Sequence, residues 1–302
     1  MTNNPKVTVL MATYNGAAYL EAQLDSIVQQ QAVDVKIIAS DDGSTDKTCD
    51  ILKKYTPEIH QGPQKGFAAN FFHVLKKANP DRTYYALSDQ DDIWASHKLQ
   101  RAIHWLATID AQKPALYCAR TLLVDEALKP LGYSPLFKKP PSFLNALVQN
   151  IGGGNTMVFN QAAYQLLRQT DNKHQVFAHD WFAYLLISGA GGAIFYDQTP
   201  SLQYRQHQKN ILGNNMSLRA RYTRIRMLFE GNLKSWITKN NQSLLEISHL
   251  LTEKHRNDLK AFEKARHQRF LPRLITMLRL GIYRQTNLTQ LGLLIGIVCN
   301  KI

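Results

Sequence analysis

The first 110 residues alternate between two hydrophobic rhythms. "KVTVLMAT" (Lys6–Thr13) is a short apolar, β-branched run and reads as a buried strand. In "AAYLEAQLDSIVQQQ", Tyr19, Leu20, Leu24, Ile27 and Val28 recur at helical spacing. "VKIIAS" (Val35–Ser40) is the next strand and runs into "DDGSTD". "TDKTCDILKKY" and "FAANFFHVLKKA" predict helices, "YYALS" (Tyr84–Ser88) a strand, and "HKLQRAIHWLATI" another helix. Strands separated by helices imply right-handed crossovers and a mainly parallel sheet covered on both faces.

From 115 to 204 the pattern is mixed. "ALYCARTLLVD" reads as one strand, "GGGNTMVFN" as a glycine loop entering a strand, "HDWFAYLLIS" as the opening of a helix, and "GAIFYD" and "SLQYRQH" as later strands. After Ser217 the rhythm is almost wholly helical. Leu218, Tyr222, Ile225, Phe229, Leu233, Trp236 and Ile237 form one stripe, with Arg219, Arg221, Arg224 and Arg226 largely off it. The expected architecture is therefore an α/β domain over residues 1–210 and a helical region over 211–302.

Charge sharpens that division. The formal net charge is +13, and residues 205–302 carry 18 Lys and Arg against 5 Asp and Glu, so the first 204 residues are neutral overall. Three readings of the basic region stand: helical packing with a solvated basic face, docking on an anionic membrane surface, and nucleic-acid binding. The absence of any recognition motif argues against nucleic acid. "LGLLIGIVC" (Leu291–Cys299) is too short to span a bilayer; insertion at the interface and closure of an oligomer both fit it. Apolar content of 44% is that of a globular protein. Cys49, Cys118 and Cys299 form neither a disulfide framework nor a metal knuckle, and no secretory leader is evident, so a cytoplasmic setting, including the inner face of the cell membrane, is expected.

Three polar clusters follow strands: "TYNG" the first, "DDGSTD" the second and "SDQDD" the fourth. In open α/β sheets ligands bind beyond the carboxyl ends of the strands. "SDQDDIW" puts Asp89, Asp91 and Asp92 within four residues, which a plain surface loop would gain little from. A hard divalent cation wants oxygen ligands, and Mg²⁺ takes one or two carboxylates beside substrate phosphate oxygens. Taken singly, each cluster also reads as a turn followed by a helix cap.

The four stretches "VLMATYNGAAYLEAQLDSIVQQ", "ASDDGSTD", "ALSDQDDIW" and "HDWF", in this order, resemble the family 2 glycosyltransferases over roughly residues 6–210. "SDQDDIW", "GGGNT" and "YRQHQKN" are similar to its rhamnosyltransferase-like branch. The resemblance implies a GT-A (Rossmann-like) fold and a metal-dependent, inverting glycosyltransferase using Mg²⁺ or Mn²⁺. It would move a hexosyl or deoxyhexosyl group, rhamnose among the candidates, from a dTDP- or UDP-sugar donor to a glycan or lipid-linked acceptor in bacterial-type polysaccharide synthesis.

By the same resemblance, Thr13 and Tyr14 form the base-contacting strand end, Asp42 binds the nucleobase and Asn70 adds polar contacts to the nucleotide. Asp89 falls to the ribose or donor-sugar hydroxyls, Asp91 to the metal, and Asp180 to the general base. The helix start at Asp180 is expected to keep it ionised. Arg205, His207 and Lys209 lie on a segment that folds over the diphosphate, with His207 also a metal candidate. Asp92 reads either as a support for the metal ligand or as a helix cap, Trp181 as acceptor floor or core, and Gly152–Gly154 as a close-approach loop or a tight turn. Two other classes were weighed: a non-catalytic nucleotide-sugar-binding protein, against which "HDW" and an intact "DQD" argue, and a nucleotidyltransferase, whose Gly-rich, Lys/Arg-bearing loop "TYNGAAYLEA" lacks.

Overall fold

The computed structural model describes residues 4–80, 82–170, 176–207 and 230–302. The α/β part runs β1 (Lys6–Thr13), α1 (Leu20–Val28), β2 (Asp34–Asp41), α2 (Thr48–Leu52), β3 (Ile59–Gln61), α3 (Phe67–Lys77), β4 (Tyr84–Ser88), β5 (Ile93–Trp94) and α4 (Lys98–Leu106). It continues with β6 (Ala115–Ala119), β7 (Leu122–Val124), β8 (Pro130–Tyr133), α5 (Phe143–Ala146), β9 (Val158–Asn160), α6 (Gln161–Leu167), α7 (His179–Gly189), β10 (Ala193–Asp197) and β11 (Leu202–Arg205). Four helices follow: α8 (Asn232–Glu246), α9 (Glu253–Arg266), α10 (Phe270–Leu280) and α11 (Asn287–Val298).

The main sheet has seven strands in the order β10-β6-β9-β4-β1-β2-β3. All run parallel except β9, which is antiparallel to both its neighbours. Strand alternation explains the two covered faces. Val7, Val9 and Met11 of β1 pack with Leu20, Leu24 and Ile27 of α1 and Leu99, Ala102 and Ile103 of α4. Leu10 points the other way, into a cluster with Phe71 and Val74 of α3, Tyr164 of α6 and Phe182 and Leu186 of α7.

One strand expectation is corrected, and another gains a sheet assignment. "ALYCARTLLVD" is not one strand: it breaks at Arg120 and Thr121 into β6 of the main sheet and β7 of a second, four-stranded sheet ordered β5-β11-β7-β8. "SLQYRQH" joins that second sheet, where β11 pairs with β5 and β7. The small sheet thus ties β11 to the segment just after the Asp cluster. Val28 also departs from expectation: apolar and in phase, it is 51% exposed.

The C-terminal helices share the larger core. Ile237, Leu244, Leu259, Phe262, Met277, Leu293 and Ile297 are buried in the same cluster as the α3, α6 and α7 side chains. Lys209, the boundary at 210/211 and the Leu218–Phe229 part of the basic stripe, with its four arginines, lie outside the described residues. Within them, Trp236 stacks on Phe177 at 4.2 Å and Ile237 is fully buried, so the described end of that stripe faces the core.

Candidate active site

The strand ends of the main sheet carry the three polar loops, and the loops bond to one another. Asn15, in the positive-φ region, donates its backbone N–H to Ser44 Oγ at 2.8 Å, and its side chain accepts from the Thr45 N–H at 2.8 Å. Gly16 N–H donates to Thr48 Oγ1 and Ala17 N–H to Asp46 Oδ2. Asp46 therefore braces the first loop with one oxygen while the other accepts from the Thr48 N–H, 3.0 Å away at the start of α2. Gln90 completes the set: its amide exchanges two hydrogen bonds with the Tyr14 backbone, at 2.8 and 3.0 Å. The residues of "TYNGA", "DDGSTD" and "SDQDD" occur together because each loop satisfies its neighbour's backbone.

Beyond β1 and β2 lies the first half of the site. Thr13 is buried and donates through Oγ1 to Asp41, which also accepts from the Gly43 and Ser44 N–H groups. Asp41 is thus committed to the turn. Asp42 is partly exposed and accepts from the N–H groups of Gln64 (2.6 Å) and Gly66 (3.1 Å). An ionised carboxylate offers about four acceptor positions, so it retains capacity for a ligand. Asn70 is buried, donates to Ser40 O at 2.8 Å, and leaves Oδ1 without a partner. A Cβ at Gly62 would meet that Oδ1 and Asp42 Oδ1 at 2.6 and 2.7 Å. Tyr14, next in the chain to Thr13, is 58% exposed. Thr13, Tyr14, Asp42 and Asn70 therefore gather at one place.

The second half is acidic. Asp91 Oδ2 lies 2.8 Å from His207 Nε2, and both side chains are mostly shielded. Tyr19 stacks on the His207 ring at 5.2 Å and receives the Arg205 guanidinium on its face at 4.6 Å. Arg205 is buried beneath the Asp91 loop, donating to the carbonyls of Asp91 (3.0 Å) and Glu126 (2.5 Å). Burial pushes Asp89 up to about 7, and the negative charges of Asp91 and Asp180 add to the shift. The same field links Asp89, at the end of β4, to the Asp180 carboxylate on α7.

Asp180 lies in the first turn of α7, two residues beyond the cap position Ala178. Its carboxylate accepts from the N–H groups of Trp181 (2.6 Å) and Gly154 (3.2 Å). Burial nevertheless raises it to about 6, outweighing these donors, so the helix start does not hold it in the ordinary carboxylate range. A carboxylate poised there is suited to taking a proton near neutrality. Trp181 is core: it is buried and donates through Nε1 to Ala146 O at 2.7 Å. His179 stacks on Phe71 at 3.7 Å, and burial lowers it to about 3, so it is neutral.

Asp92 is neither a cap nor exposed. It is buried, accepts from Asn155 Nδ2 at 2.6 Å, and donates its N–H to Gln23 Oε1 at 2.8 Å. Asn155 O in turn accepts from the fully buried Lys98 Nζ at 2.5 Å, above the Trp94 ring. Burial drives Asp92 up and Lys98 down, each opposed by the other's charge. Gly152–Asn155 is therefore a bridge: Gly154 holds Asp180 and Asn155 holds Asp92. Its glycines answer to packing, since a Cβ at Gly154 would sit 2.3 Å from His179 Nε2 and one at Gly152 2.7 Å from Cys118 Cβ.

A family model described as Glycosyl transferase family 2 matches residues 8–170, and the dTDP-rhamnosyl transferase RfbG of Shigella flexneri is 30% identical over 79% of this chain and 86% of its own. The chain belongs to glycosyl transferase family 2. Its fold is that of solved GT-A glycosyltransferases. Staphylococcus aureus TarS 1–349 with UDP matches at a TM-score of 0.56 and 16% identity, over 98% of this chain and 80% of that one. The mannosyltransferase PcManGT from Pyrobaculum calidifontis, with GDP-Man and Mn²⁺, matches at 0.53 and 18% identity, over 99% and 88%.

In this family 2 glycosyltransferase several site groups escape a motif reading. Gln90, Lys98, Asn155 and Asp41 are polar residues that read as loop or helix surface. For Lys98 alone a signal exists in the sequence: a lysine opening the α4 segment in line with an apolar stripe (Leu99, Ala102, Ile103, Leu106) is placed to be buried with it. Among the described residues no group of three or more His, Cys, Asp and Glu is placed to hold a metal ion, so protein donors at Asp91 number two with His207. That pair fits a cation whose remaining ligands come from a diphosphate.

Proposed function

We propose that this glycosyltransferase catalyses a single inverting displacement on a nucleotide-diphosphate sugar, with Asp180 as the general base. An acceptor hydroxyl loses its proton to Asp180 as its oxygen bonds to the anomeric carbon. The bond from that carbon to the diphosphate oxygen breaks on the opposite face, and the electron pair leaves with the nucleoside diphosphate. The observation that carries this reading is the Gly152–Asn155 bridge: Gly154 N–H donates to Asp180 and Asn155 donates to Asp92, next in the chain to Asp91, so the Asp180 carboxylate adjoins the Asp cluster.

Asp91 and His207 would hold Mg²⁺ or Mn²⁺, which when bound supplies Lewis-acid compensation for the charge on the leaving diphosphate. Arg205 fixes the Asp91 loop from below, and Asp89 takes donor-sugar or ribose hydroxyls. Thr13, Tyr14, Asp42 and Asn70 take the base and nucleoside. Similarity to RfbG along most of both chains supports a dTDP-deoxyhexose, rhamnose first, as donor. The acceptor is a glycan or a lipid-linked glycan.

The test is a panel of dTDP- and UDP-sugars offered with saccharide acceptors, with and without a chelator. Turnover should need Mg²⁺ or Mn²⁺ and disappear in Asp91→Asn with the fold intact, and the product anomer should be opposite to the donor's. Retained configuration, or full activity of Asp91→Asn, would overturn the mechanism.

A further inference from the structure

The last two helices carry an apolar face that the fold does not use. On α10 the core side is Arg273 and Met277, while Leu271, Ile275 and Leu278, spaced i, i+4, i+7, are 62, 47 and 59% exposed. On α11 the core side is Leu293, Gly296 and Ile297, while Leu288, Leu291, Ile295 and Val298 are 63, 55, 39 and 48% exposed. No residue of α11 is charged. A helix apolar all round belongs inside a core or in lipid, and α11 has only one side in the core. The two helices form one rigid unit. The buried Arg273 donates from Nε to Ile297 O at 2.8 Å and from Nη2 to Val298 O at 3.1 Å, closing the end of α11.

Charge selects the partner. From Lys264 to Ile302 there are seven Lys and Arg and no Asp or Glu; Arg266 and Arg273 are buried, Arg266 paired with Glu263, while Lys264, Arg269 and Arg279 stand exposed at and around α10. A two-fold contact between copies would set this cationic rim against itself with no acid to pair it. An anionic lipid surface supplies both what the apolar face and what the rim require.

We infer that the α10–α11 face docks the enzyme on an anionic membrane. The turn between the helices shows what this does for the acceptor, a point that rests on the function proposed above. Tyr283 O accepts from Asn145 Nδ2 at 2.9 Å, and Gln285 N–H donates to Gln149 Oε1 at 2.7 Å. Gln149 lies directly before the Gly152–Asn155 bridge that holds Asp180, so the membrane-facing unit is fastened to the acceptor side of the site.

Flotation of the full chain with neutral phosphatidylcholine vesicles and with vesicles containing phosphatidylglycerol tests this. The parent should bind the anionic vesicles, and added salt should weaken binding. The variant Leu278→Gln/Leu291→Gln/Ile295→Gln, altered only at exposed positions, should bind roughly ten-fold more weakly or worse, while transfer to a water-soluble acceptor is unchanged. A second measurement needs no change to the face: in a Cys49→Ser background, a polarity-sensitive fluorophore on the exposed Cys299 should shift to the blue with anionic vesicles alone. A parent that ignores anionic vesicles, a variant that binds as well as the parent, or an unshifted label overturns the inference. So does a parent dimer that the variant converts to monomer without any vesicle binding. Because the readout is binding, these results are independent of whether the proposed transfer mechanism holds.

Discussion

At the scale of single residues, the decisive property is how burial sets Asp180. In the proposed displacement its carboxylate, raised from 3.8 to about 6, would accept the acceptor's proton only when ionised. We expect kcat/KM to fall about ten-fold per pH unit below about 6, a limb readable from initial rates at saturating metal. The linkage sign follows from the same shift. Between 3.8 and about 6 the folded chain holds a proton that the unfolded chain has lost, so Asp180 favours folding at low pH, and that contribution is lost as pH rises through about 6. Asp180→Asn should reduce kcat by roughly 10²–10⁴-fold and abolish the acid limb, yet leave nucleotide affinity unchanged. Equal loss of nucleotide binding, measured by calorimetry, would move Asp180 to the donor site.

At the scale of elements, the site depends on a polar stripe along α1 and just past its C-terminal end. Gln23, Ser26 and Gln30 are buried at i, i+3 and i+7, and accept hydrogen bonds from the backbone N–H groups of Asp92, Trp94 and Leu99. This helix therefore sets the path of the chain from the Asp cluster to α4. Gln30→Met keeps the volume but orphans the Leu99 N–H, while the Ala95 carbonyl keeps the Lys98 N–H as its donor. A loss of about 1–3 kcal/mol in urea unfolding is expected, against less than about 0.5 for Val28→Ala on the exposed side. The contrast also shows where sequence stops being informative. β1, β2, β4, α1, α3 and α4 were legible as apolar runs or periods, and Asp91 and Asp180 were singled out because the motifs containing them co-occur. The α1 glutamines were not, since buried polar groups and surface ones have the same letters. The short β5 and β8 carry too few residues for alternation to register. Arg205 was visible as a cation, but its burial under Asp91 depends on β11 leaving the main sheet, which a local pattern does not encode.

At the scale of the molecule, the C-terminal helices belong to the catalytic core. Phe262 and Leu259 of α9 are fully buried, in one cluster with Phe71 of α3 and Phe182 and Leu186 of α7. Gly189 at the end of α7 accepts from Thr252 N–H at 3.0 Å through its carbonyl, so α7, which carries Asp180, is fastened at its far end to the start of α9. A shared core of this kind should unfold as one cooperative unit. Phe262→Ala removes a large buried ring and is expected to cost about 3–5 kcal/mol. That loss should appear as the same midpoint shift in far-UV circular dichroism, which reports all helices, and in tryptophan fluorescence, to which Trp94, Trp105 and Trp181 of the α/β part contribute. A tail that merely leaned on the domain would give a different result: an early helical transition with the fluorescence midpoint unmoved. Excess UDP or dTDP should shift both probes upward together, because binding at the proposed strand-end site would stabilise the C-terminal helices through the shared core.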